Sequence, residues 1–313
     1  MVGFFLRRVF AVIPTLVLAS VVVFLLMHIM PGDPAGLLLG PDATPAEIEA
    51  LKESMGLNAP LPSQFVQWFS GLLHGDLGIS VYYAKPVAEI FLQHASTSAV
   101  LGSLALAVAC AIGLPVGIFS ALKSDTWVDH TARIAALSAA TTPSFVLGLV
   151  LMYLFSIRLG WLPSVGISVA EGGMLPFRSF ILPSITLGAP NAAILARLTR
   201  SCMMDVMREE YITAARAKGL SEKAVILKHA LRASAVPIFT LSSVILGGLV
   251  SAAVVTETVF AIPGVGRLIS ESVLKRDYPV IEGVLLVVAV LYLMINLLTD
   301  ILNVFLDPRI RYD

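Results

Sequence analysis

Charged side chains are scarce in this 313-residue chain, in which Asp, Glu, Lys and Arg together make up only 13%. A soluble domain carries about 25% charged residues, so roughly half of the usual solubilising surface is absent. Hydrophobic residues reach 57%, and the 21 basic residues are balanced by 21 acidic ones. The composition therefore indicates an integral membrane protein, and the zero formal charge excludes a basic field that would attract nucleic acid.

Several chemical signatures are also absent. The two cysteines, Cys110 and Cys202, have no CxxC spacing and are interpreted as inert, packed thiols. The five histidines show neither HxxxH nor HExxH spacing, which argues against a metal site. A phosphate-binding GxxxxGK[ST] loop, a nucleophile elbow and paired catalytic carboxylates are missing as well. We therefore expect no catalytic residue and no cofactor bound by this chain.

Long apolar runs are what the sequence does contain. Six stretches approach the ~20 residues that a membrane helix needs, at about 9–30, 97–121, 134–157, 180–199, 236–259 and 280–306. Continuous runs, rather than ten-residue alternations, favour helices over a barrel. The fourth is interrupted by Pro183, Pro190 and Asn191, so we expect a kinked span inside a bundle. The first run is longer than a signal-peptide core and lacks a small-x-small cleavage site, which favours an uncleaved anchor.

The distribution of basic residues predicts the orientation. With the N-terminus inside, 14 of the 21 Lys and Arg residues lie on the inner side, eight of them between Arg197 and Arg232, in or just before a polar island near 200–235. This bias places both termini and the island in the cytoplasm. The outer loop, 31–96, is acidic and carries seven Asp or Glu against two Lys.

The outer loop carries helix signals that predict a small extracytoplasmic cap. Thr44 followed by Glu47 forms a capping-box pattern before a helical stretch at 45–55. A second stretch, 64–73, has Phe65, Trp68 and Phe69 at helical intervals. The cap either packs on the outer bundle surface or contacts a soluble partner, and the sequence leaves both readings open.

The polar island reads as a helical hairpin. Its first helix, about 208–218, is rich in good helix formers, and Gly219 stands where a helix end needs a positive φ. Ser221 is the predicted N-cap of the second helix, which Pro237 marks as ending or changing direction. A soluble-looking hairpin inside a membrane protein is typical of a docking site.

Polar groups at membrane depth are candidates for function. Glu257 is a pathway candidate near the outer end of the fifth span, whereas Asp300, with Arg309 as a possible partner, suggests a structural role; His28 and Asn296 are weaker candidates. The following turn at Pro263, Gly264 and Gly266 is an ordinary turn or one beside a gate, its glycines being able to adopt positive φ. Small residues at Gly113 and Gly117, and near Gly247 and Gly248, favour close helix packing within the chain or with a second subunit.

At 210–219, EYITAARAKG, the chain resembles the EAA-type coupling loop of binding-protein-dependent ABC importers, in the form EYxxxARAKG of their peptide and nickel permeases. The resemblance extends in order over the whole chain: FxxRR at 4–8, PGDP at 31–34, MGL at 55–57, GDLGIS at 75–80, ETVFAIPGVGR at 257–267, RDYP at 276–279 and DPRIRY at 307–312. These motifs point to the B-type peptide permease subunit rather than its C-type partner. The stretch 93–97 departs from the family's LPAT-like helix start.

The resemblance implies an all-α, type I importer permease-like fold with six spans in a bacterial or archaeal cytoplasmic membrane. It implies N-terminal helix and outer cap at 1–96, a five-helix core at 97–306 with the coupling hairpin at about 200–235, and a cytoplasmic tail at 307–313. The residues implied to couple to an ATPase are Glu210, Tyr211, Ala214, Ala215, Arg216, Ala217, Lys218, Gly219 and Leu220. Pathway or gate candidates are Glu257, Pro263, Gly264 and Gly266.

The implied function is import of peptides by alternating access, in an assembly with a homologous permease, two ATPase subunits that hold ATP and Mg, and an extracytoplasmic binding protein. A nickel chelate, glutathione or another small solute is an alternative cargo. A secondary transporter working without ATPases and an intramembrane enzyme are the alternatives from other classes. A secondary transporter should have charges in several spans and an internal repeat, and the sequence shows neither feature clearly. An intramembrane enzyme would need a catalytic constellation, which is absent.

Overall fold

The computed structural model of the protein describes residues 2–29, 34–40, 43–54, 56–164 and 177–306. Three sequence expectations lie partly or wholly outside these ranges: the PGDP motif except Pro34, Met55 of the MGL motif, and the tail at 307–313. Arg309, the expected partner of Asp300, belongs to that tail.

The described chain is built from helices. In chain order they are α1 (Val2–Ile29), α2 (Pro34–Leu39), α3 (Pro45–Ser54), α4 (Leu61–Leu73), α5 (Val87–Leu122), α6 (Trp127–Thr141), α7 (Ser144–Leu151, continued as a π-helix over Met152–Arg158), α8 (Arg178–Met207), α9 (Glu210–Ala217), α10 (Glu222–Ala224, continued as a π-helix over Val225–Ala230), α11 (Leu231–Ala233), α12 (Ala235–Val259), α13 (Val265–Lys275) and α14 (Tyr278–Leu306). Within the described ranges no β-strand forms, and Ile79 and Pro86 make an isolated antiparallel bridge.

Four of these helices are long and apolar enough to cross a membrane: α5, α8, α12 and the Tyr278–Asn303 part of α14. The pair α6 and α7 adds a fifth span if the bent pair is counted as one. The apolar part of α1, Phe10–Leu26, falls just short of the same length criterion. The all-helical membrane fold is confirmed, whereas the expected count of six spans is not confirmed by the described residues.

The second span begins earlier than predicted. Helix α5 starts at Val87 rather than near 97, so the departing stretch 93–97 lies inside a helix and not at its start. Pro86 directly precedes the first residue of α5. At this position the fixed φ of proline is compatible with a helix, and its missing N–H removes no hydrogen bond from the helix. The carbonyl of Pro86 accepts from the N–H groups of Glu89 and Ile90, which closes that first turn.

The predicted third span, 134–157, is broken rather than continuous. Helices α6 and α7 meet at an angle of 103°. The break falls at Thr142–Pro143, where Thr142 is extended with φ −72° and ψ 124°. Proline disfavours helical geometry in the residue before it, which explains why the helix ends there.

The predicted weak fourth span is instead one helix of 30 residues. Helix α8 runs through Pro183 and Pro190 and continues to Met207, well into the polar island. It is also the most enclosed of the candidate spans, with 67% of its apolar window buried. Asn191 donates its side-chain amide to the carbonyl of Leu187 at 2.9 Å, so the helix backbone beside Pro190 gains a polar partner.

The chain forms two compact units, one of Met1–Ala95 with Leu268–Leu293 and one of Ser96–Arg267 with Met294–Asp313. In the second unit, α5 and α8 approach closely because glycines face the partner helix. A Cβ atom on Gly113 would lie 2.7 Å from the carbonyl oxygen of Ala192, and one on Gly117 would lie 2.6 Å from that of Ala196. The spacing of these two glycines therefore serves packing within the chain.

In the first unit, the capping box predicted for α3 is confirmed. The carboxylate of Glu47 accepts from both the backbone N–H and the hydroxyl of Thr44 at 2.8 Å, and the hydroxyl in turn accepts from the N–H of Glu47. The hydrogen bond from the Thr44 backbone, followed by that from its side chain, holds the pKa of Glu47 below its usual value.

The aromatic stripe of α4 packs on α1. The ring centroids of Phe65 and Trp68 lie 5.4 and 5.6 Å from that of Phe24. The ring nitrogens of His28 lie 2.8 Å from the carbonyl oxygen of Phe24 and 3.2 Å from the amide oxygen of Gln64. The stripe therefore belongs to a helix–helix contact, and His28 is a polar member of it.

Candidate functional site: the helical hairpin and the outer turn

The hairpin extends directly from the end of α8. Its first arm is α9, and its second arm is formed by α10, the following π-helix and α11. Between the arms, Gly219 adopts φ +80°, and nothing lies within 4 Å of the position that a Cβ atom would occupy. The N–H of Gly219 donates to the carbonyl of Arg216 at 2.9 Å. Glycine is needed here for its conformation rather than for space.

Ser221 begins the second arm as predicted, because its hydroxyl accepts from the N–H of Ala224 at 3.4 Å. The arm ends at Ala233, and α12 begins at Ala235, two residues before Pro237. Proline is tolerated in the first turn of a helix, so Pro237 lies at the start of the next helix.

A small apolar core holds the hairpin together and ties it to α8. Ile212 and Ala215 of the first arm are buried with Val225 and Ala230 of the second, and with Met203 of α8. Ala215 therefore faces the inside of the hairpin and is not on the face available to another protein. A displacement of the hairpin would be transmitted to α8 through this core, because densely packed apolar side chains move together.

The two arms are also linked by an ion pair between Arg216 and Glu222, whose Nε and Oε1 atoms are 2.8 Å apart. The side chains are 38% and 62% exposed. Because solvent screens a pair with such exposure, its contribution to the stability of the fold is at most about 1 kcal/mol. Arg216 thus orients the arms more than it stabilises them.

Eight of the nine residues that the resemblance assigned to coupling lie on the exposed surface of the hairpin. Ala215 is the exception; the exposed ones are Glu210, Tyr211, Ala214, Arg216, Ala217, Lys218, Gly219 and Leu220. Tyr211, Ala214 and Ala217 follow one another at three-residue spacing and share one side of α9. Sequence reasoning missed Leu227, which is 50% exposed on the second arm. Its signal was a large aliphatic residue inside a polar island.

The turn after α12, called the outer turn after the side that the sequence predicts for it, is organised by Glu257. This side chain is fully buried. Its carboxylate accepts from the hydroxyl of Ser98 at 2.6 Å and from the backbone N–H of Arg267 at 3.0 Å. The hydroxyl of Ser98 accepts in turn from the backbone N–H of Val265 at 2.7 Å. Two N–H groups of the first turn of α13 are satisfied in this way, in the place where a helix favours a negative charge.

The glycines of the turn are required by contact rather than by a positive φ, which corrects the sequence-based reason for them. A Cβ atom on Gly264 would lie 2.2 Å from the carboxyl carbon of Glu257, and one on Gly266 would lie 2.5 Å from the Cα atom of Val254. The residue with positive φ is Ala261, at 50°. Pro263 directly precedes Gly264 in the same turn, so all four gate candidates lie in or against this turn. Their role in gating stays a prediction.

Two further buried carboxylates were missed as sites by the sequence reasoning. In the first unit, Asp277 accepts from the hydroxyl of Ser80 at 2.5 Å and from the N–H groups of Val81 and Tyr82 at 3.1 and 3.2 Å. Lys275 lies over the ring of Tyr82 at 3.7 Å. The only sequence signal was the short RDYP motif, since the partners are almost 200 residues away.

In the second unit, Asp129 is fully buried and forms a bidentate pair with Arg200. The Nε and Nη2 atoms of Arg200 lie 2.7 and 2.6 Å from the two carboxylate oxygens, and the hydroxyl of Ser120 donates at 2.5 Å. The pair joins the C-terminal part of α5, the start of α6 and the C-terminal part of α8. No spacing pattern in the sequence predicted the ion pair between Asp129 and Arg200.

Among the described residues, no group of three His, Cys, Asp or Glu side chains forms a metal-binding cluster. Asp300 and Asn296 are half-buried on α14. Their roles stay predictions.

The protein has a helical membrane architecture with an exposed hairpin between its spans, and the matching family models define its class as a transport-system permease. The family model for "Binding-protein-dependent transport system inner membrane component" matches residues 113–312, and the model for the N-terminal part of such components matches residues 1–99. The chain belongs to this family, and it is a multi-pass protein of the bacterial inner-membrane type.

Two relatives illustrate the similarity. The chain is 41% identical over 312 residues, covering 100% of both chains, to a glutathione transport system permease protein, GsiC, of Pectobacterium atrosepticum. It is 38% identical over 310 residues, covering 99% of both chains, to a probable peptide ABC transporter permease protein, y4tP, of Sinorhizobium fredii.

Among solved structures, an inward-facing MetNI methionine ABC transporter superimposes with a TM-score of 0.59 at 16% identity. The superposition covers 70% of this chain and 97% of that one. At this identity the likeness concerns the fold alone.

Proposed function

We propose that this chain is the transmembrane permease subunit of an ATP-driven importer of small peptides, and that it forms the translocation pathway together with a homologous permease. The observation that carries the proposal is the hairpin. It presents a thin face of Ala214 and Ala217 outward, while its core is locked onto α8 through Met203 and Ala215.

A docking element of this kind transmits the movement of a bound partner to the helices on which it is packed. Small side chains at Ala214 and Ala217 let another protein's surface approach the helix backbone closely, with Arg216 and Lys218 at the rim. Two ATPase subunits that bind ATP and Mg are the proposed partners on this side. Their closure would push the hairpin, and the shared core would carry the movement into α8 and the helices packed on it. Shifting a two-state equilibrium from 1:99 to 99:1 takes about 5.5 kcal/mol of differential binding.

The hairpin and both termini lie in the cytoplasm in this proposal, as the excess of Lys and Arg on that side favours. An extracytoplasmic binding protein would then deliver the cargo on the opposite side. The chain itself performs no covalent chemistry; hydrolysis takes place on the ATPase subunits.

The cargo class follows from the relatives. One is named as a glutathione permease and another as a peptide permease, and glutathione is itself a tripeptide. We therefore propose peptides of a few residues as the cargo, with glutathione as a specific candidate.

The test is a purification in mild detergent from cells that express the chain with its neighbouring subunits, followed by reconstitution into proteoliposomes. We expect P-loop ATPase subunits to co-purify, and uptake of dipeptides, tripeptides or glutathione to require ATP and a binding protein. Uptake driven by an ion gradient without ATPases would contradict the proposal. ATP-dependent uptake of a nickel chelate in place of peptides would retain the mechanism and overturn the cargo.

A further inference from the structure

A groove of about 390 Å³ lies on the second unit and is lined by residues of α5, α6 and α8. The residues that line the groove are basic at one end and apolar at the other. The end formed by Arg133, Arg197 and Arg200 is basic, whereas the other end is formed by apolar residues such as Ala136, Leu137 and Ala140.

The two ends have a fixed relation to the membrane surface. Helix α6 begins at Trp127, which is 76% exposed, and tryptophan is enriched at membrane interfaces. At 1.5 Å per residue, Arg133 lies about 9 Å and Ala140 about 20 Å along the helix from Trp127. On α8, which ends at Met207 on the same side, Arg197 and Arg200 are nearer the helix end than Ala193 and Ile194. The basic end therefore lies at headgroup depth and the apolar end at acyl-chain depth.

The charges at the basic end are not balanced within the chain. The buried carboxylate of Asp129 is occupied by the bidentate bond to Arg200. Arg133 is half exposed, lies 3.8 Å from the same carboxylate, and has its Nη2 atom 2.5 Å from Nδ1 of His130. Arg197 is exposed, and in the described part of the chain it has neither a hydrogen bond nor an ion pair. The carboxylate of Asp125 also acts electrostatically on Arg200. Three guanidinium groups thus face two carboxylates, which leaves one net positive charge at this end of the groove.

The positive charge at one end of the groove and the apolar lining at the other together indicate which kind of molecule binds there. An anionic headgroup phosphate matches guanidinium groups, which bind phosphate oxygens in pairs. A free anion would leave the apolar end of the groove unused, and a zwitterionic lipid would leave the net positive charge of the basic end uncompensated. Basic pockets between membrane helices near the inner surface are recognised sites for anionic lipid headgroups.

We propose that this groove binds one anionic phospholipid of the leaflet adjoining the hairpin, with its phosphate between Arg133 and Arg197 and an acyl chain along Ala136, Leu137 and Ala140. The lipid joins α6 to α8 at the end of α8 that carries the hairpin. Arg200 is a positioning residue, because its pair with Asp129 fixes the floor of the basic end.

The experiment is native mass spectrometry of the purified importer complex titrated with dioleoyl phosphatidylglycerol or with dioleoyl phosphatidylcholine. We expect phosphatidylglycerol to be retained preferentially. At about 1 kcal/mol per basic residue near a membrane surface, Arg197→Gln should weaken its retention about fivefold, and Arg133→Gln with Arg197→Gln about 25-fold. The control is Arg232→Gln, an exposed arginine on the hairpin, which should leave retention unchanged.

A second variant, Ala136→Trp, fills the apolar end and leaves the arginines in place, so it should also lower retention. Photoactivatable phosphatidylglycerol should label peptides from α6 and from 190–201 of α8. Glycerol phosphate, which lacks acyl chains, should not compete. Equal retention of the two lipids, unchanged retention in the double arginine variant, competition by glycerol phosphate, or crosslinks from this groove to a second permease subunit would each overturn the proposal. These readouts measure lipid binding or protein contacts at the groove, so they are independent of whether the complex transports peptides.

Discussion

Gly264 lies directly against the carboxylate of Glu257: a Cβ atom at position 264 would be 2.2 Å from Cδ and 2.3 Å from each carboxylate oxygen. Glu257 is fully buried and already accepts hydrogen bonds from Ser98 and from the backbone of Arg267. The carboxylate therefore has no room to retreat without losing partners. Glycine at 264 and glutamate at 257 are two parts of one turn.

The first prediction concerns that contact. Gly264→Ala should destabilise the protein by about 1–3 kcal/mol, because an added methyl group in a filled site forces the backbone or its neighbours to move. The measurement is thermal unfolding of the purified protein in detergent. Gly102→Ala is the control, since nothing lies within 4 Å of a Cβ atom there and alanine suits the interior of α5. Equal stability of the Gly264→Ala variant and the wild type would contradict the steric role.

Ser98 provides the second prediction. Its hydroxyl donates to Glu257 and accepts from the N–H of Val265, so Ser98→Ala removes one donor from a buried carboxylate and the side-chain acceptor from the N–H of Val265. We expect a loss of about 1–3 kcal/mol in the free energy of unfolding. Ser103→Ala is the matched control on the same helix, because its hydroxyl is exposed and bonds to the carbonyl of Ala99 in the preceding turn. If both variants lost the same stability, Ser98 would have no special role in the turn.

The third prediction separates the two faces of α9. Ala214→Asp changes the exposed face, so the hairpin should remain folded while ATPase subunits dock poorly and uptake per ATP hydrolysed falls. Ala215→Asp places a charge in the hairpin core, at a cost of about 3–5 kcal/mol if it stays unpaired. It should therefore unfold the hairpin itself.

Limited proteolysis of the hairpin and co-purification of the ATPases distinguish the two outcomes. Ala214→Asp should resist protease like the wild type yet retain less ATPase, whereas Ala215→Asp should be cleaved. A cleaved Ala214→Asp hairpin would show that the exposed face also has a structural role. An intact, fully coupled Ala214→Asp complex would remove the docking assignment.

Gly219 gives the fourth prediction. At φ +80° a β-branched residue is strained, so Gly219→Val should distort the link between the arms and uncouple hydrolysis from uptake while leaving membrane insertion intact. Gly219→Asn is the control, because asparagine adopts this conformation far more readily and no neighbour crowds the site. Transport measured with ATPase activity in proteoliposomes should rank the glycine and asparagine forms well above the valine form.

The pH dependence of α3 is the fifth prediction. The pKa of Glu47 is lowered in the folded state by its hydrogen bonds to Thr44, so the carboxylate stabilises the folded helix above its unfolded pKa. This contribution is lost as the pH falls from about 4.5 through the lowered folded value. Amide hydrogen exchange at 45–54 should therefore speed up, relative to the intrinsic rate, over that interval. Glu47→Gln should remove the pH-dependent part, and an unchanged profile in that variant would assign it to another group.

Local chemistry accounts for what could be read from the chain alone. The apolar runs, the capping box at Thr44 and Glu47, and the turn at Gly219 followed by the cap at Ser221 depend on residues within a few positions of one another. Their backbone geometry is consequently encoded where they stand. The motif order along the chain likewise identified the family that the comparisons then showed.

The tertiary structure decided everything that joins distant segments. Ser98 meets Glu257 across 159 positions, Arg200 meets Asp129 across 71, and Ser80 meets Asp277 across 197. No local pattern marks such partners, because a buried carboxylate needs donors from whichever elements the fold brings beside it. The same holds for Ala215: its neighbours in sequence made it one small residue among three, and only packing against Met203, Val225 and Ala230 turned it inward. Sequence by itself determined the helical class and the locally capped ends, such as those at Thr44, Gly219 and Ser221. Burial and hydrogen bonding between helices determined which side chains support the fold and which remain available to a partner.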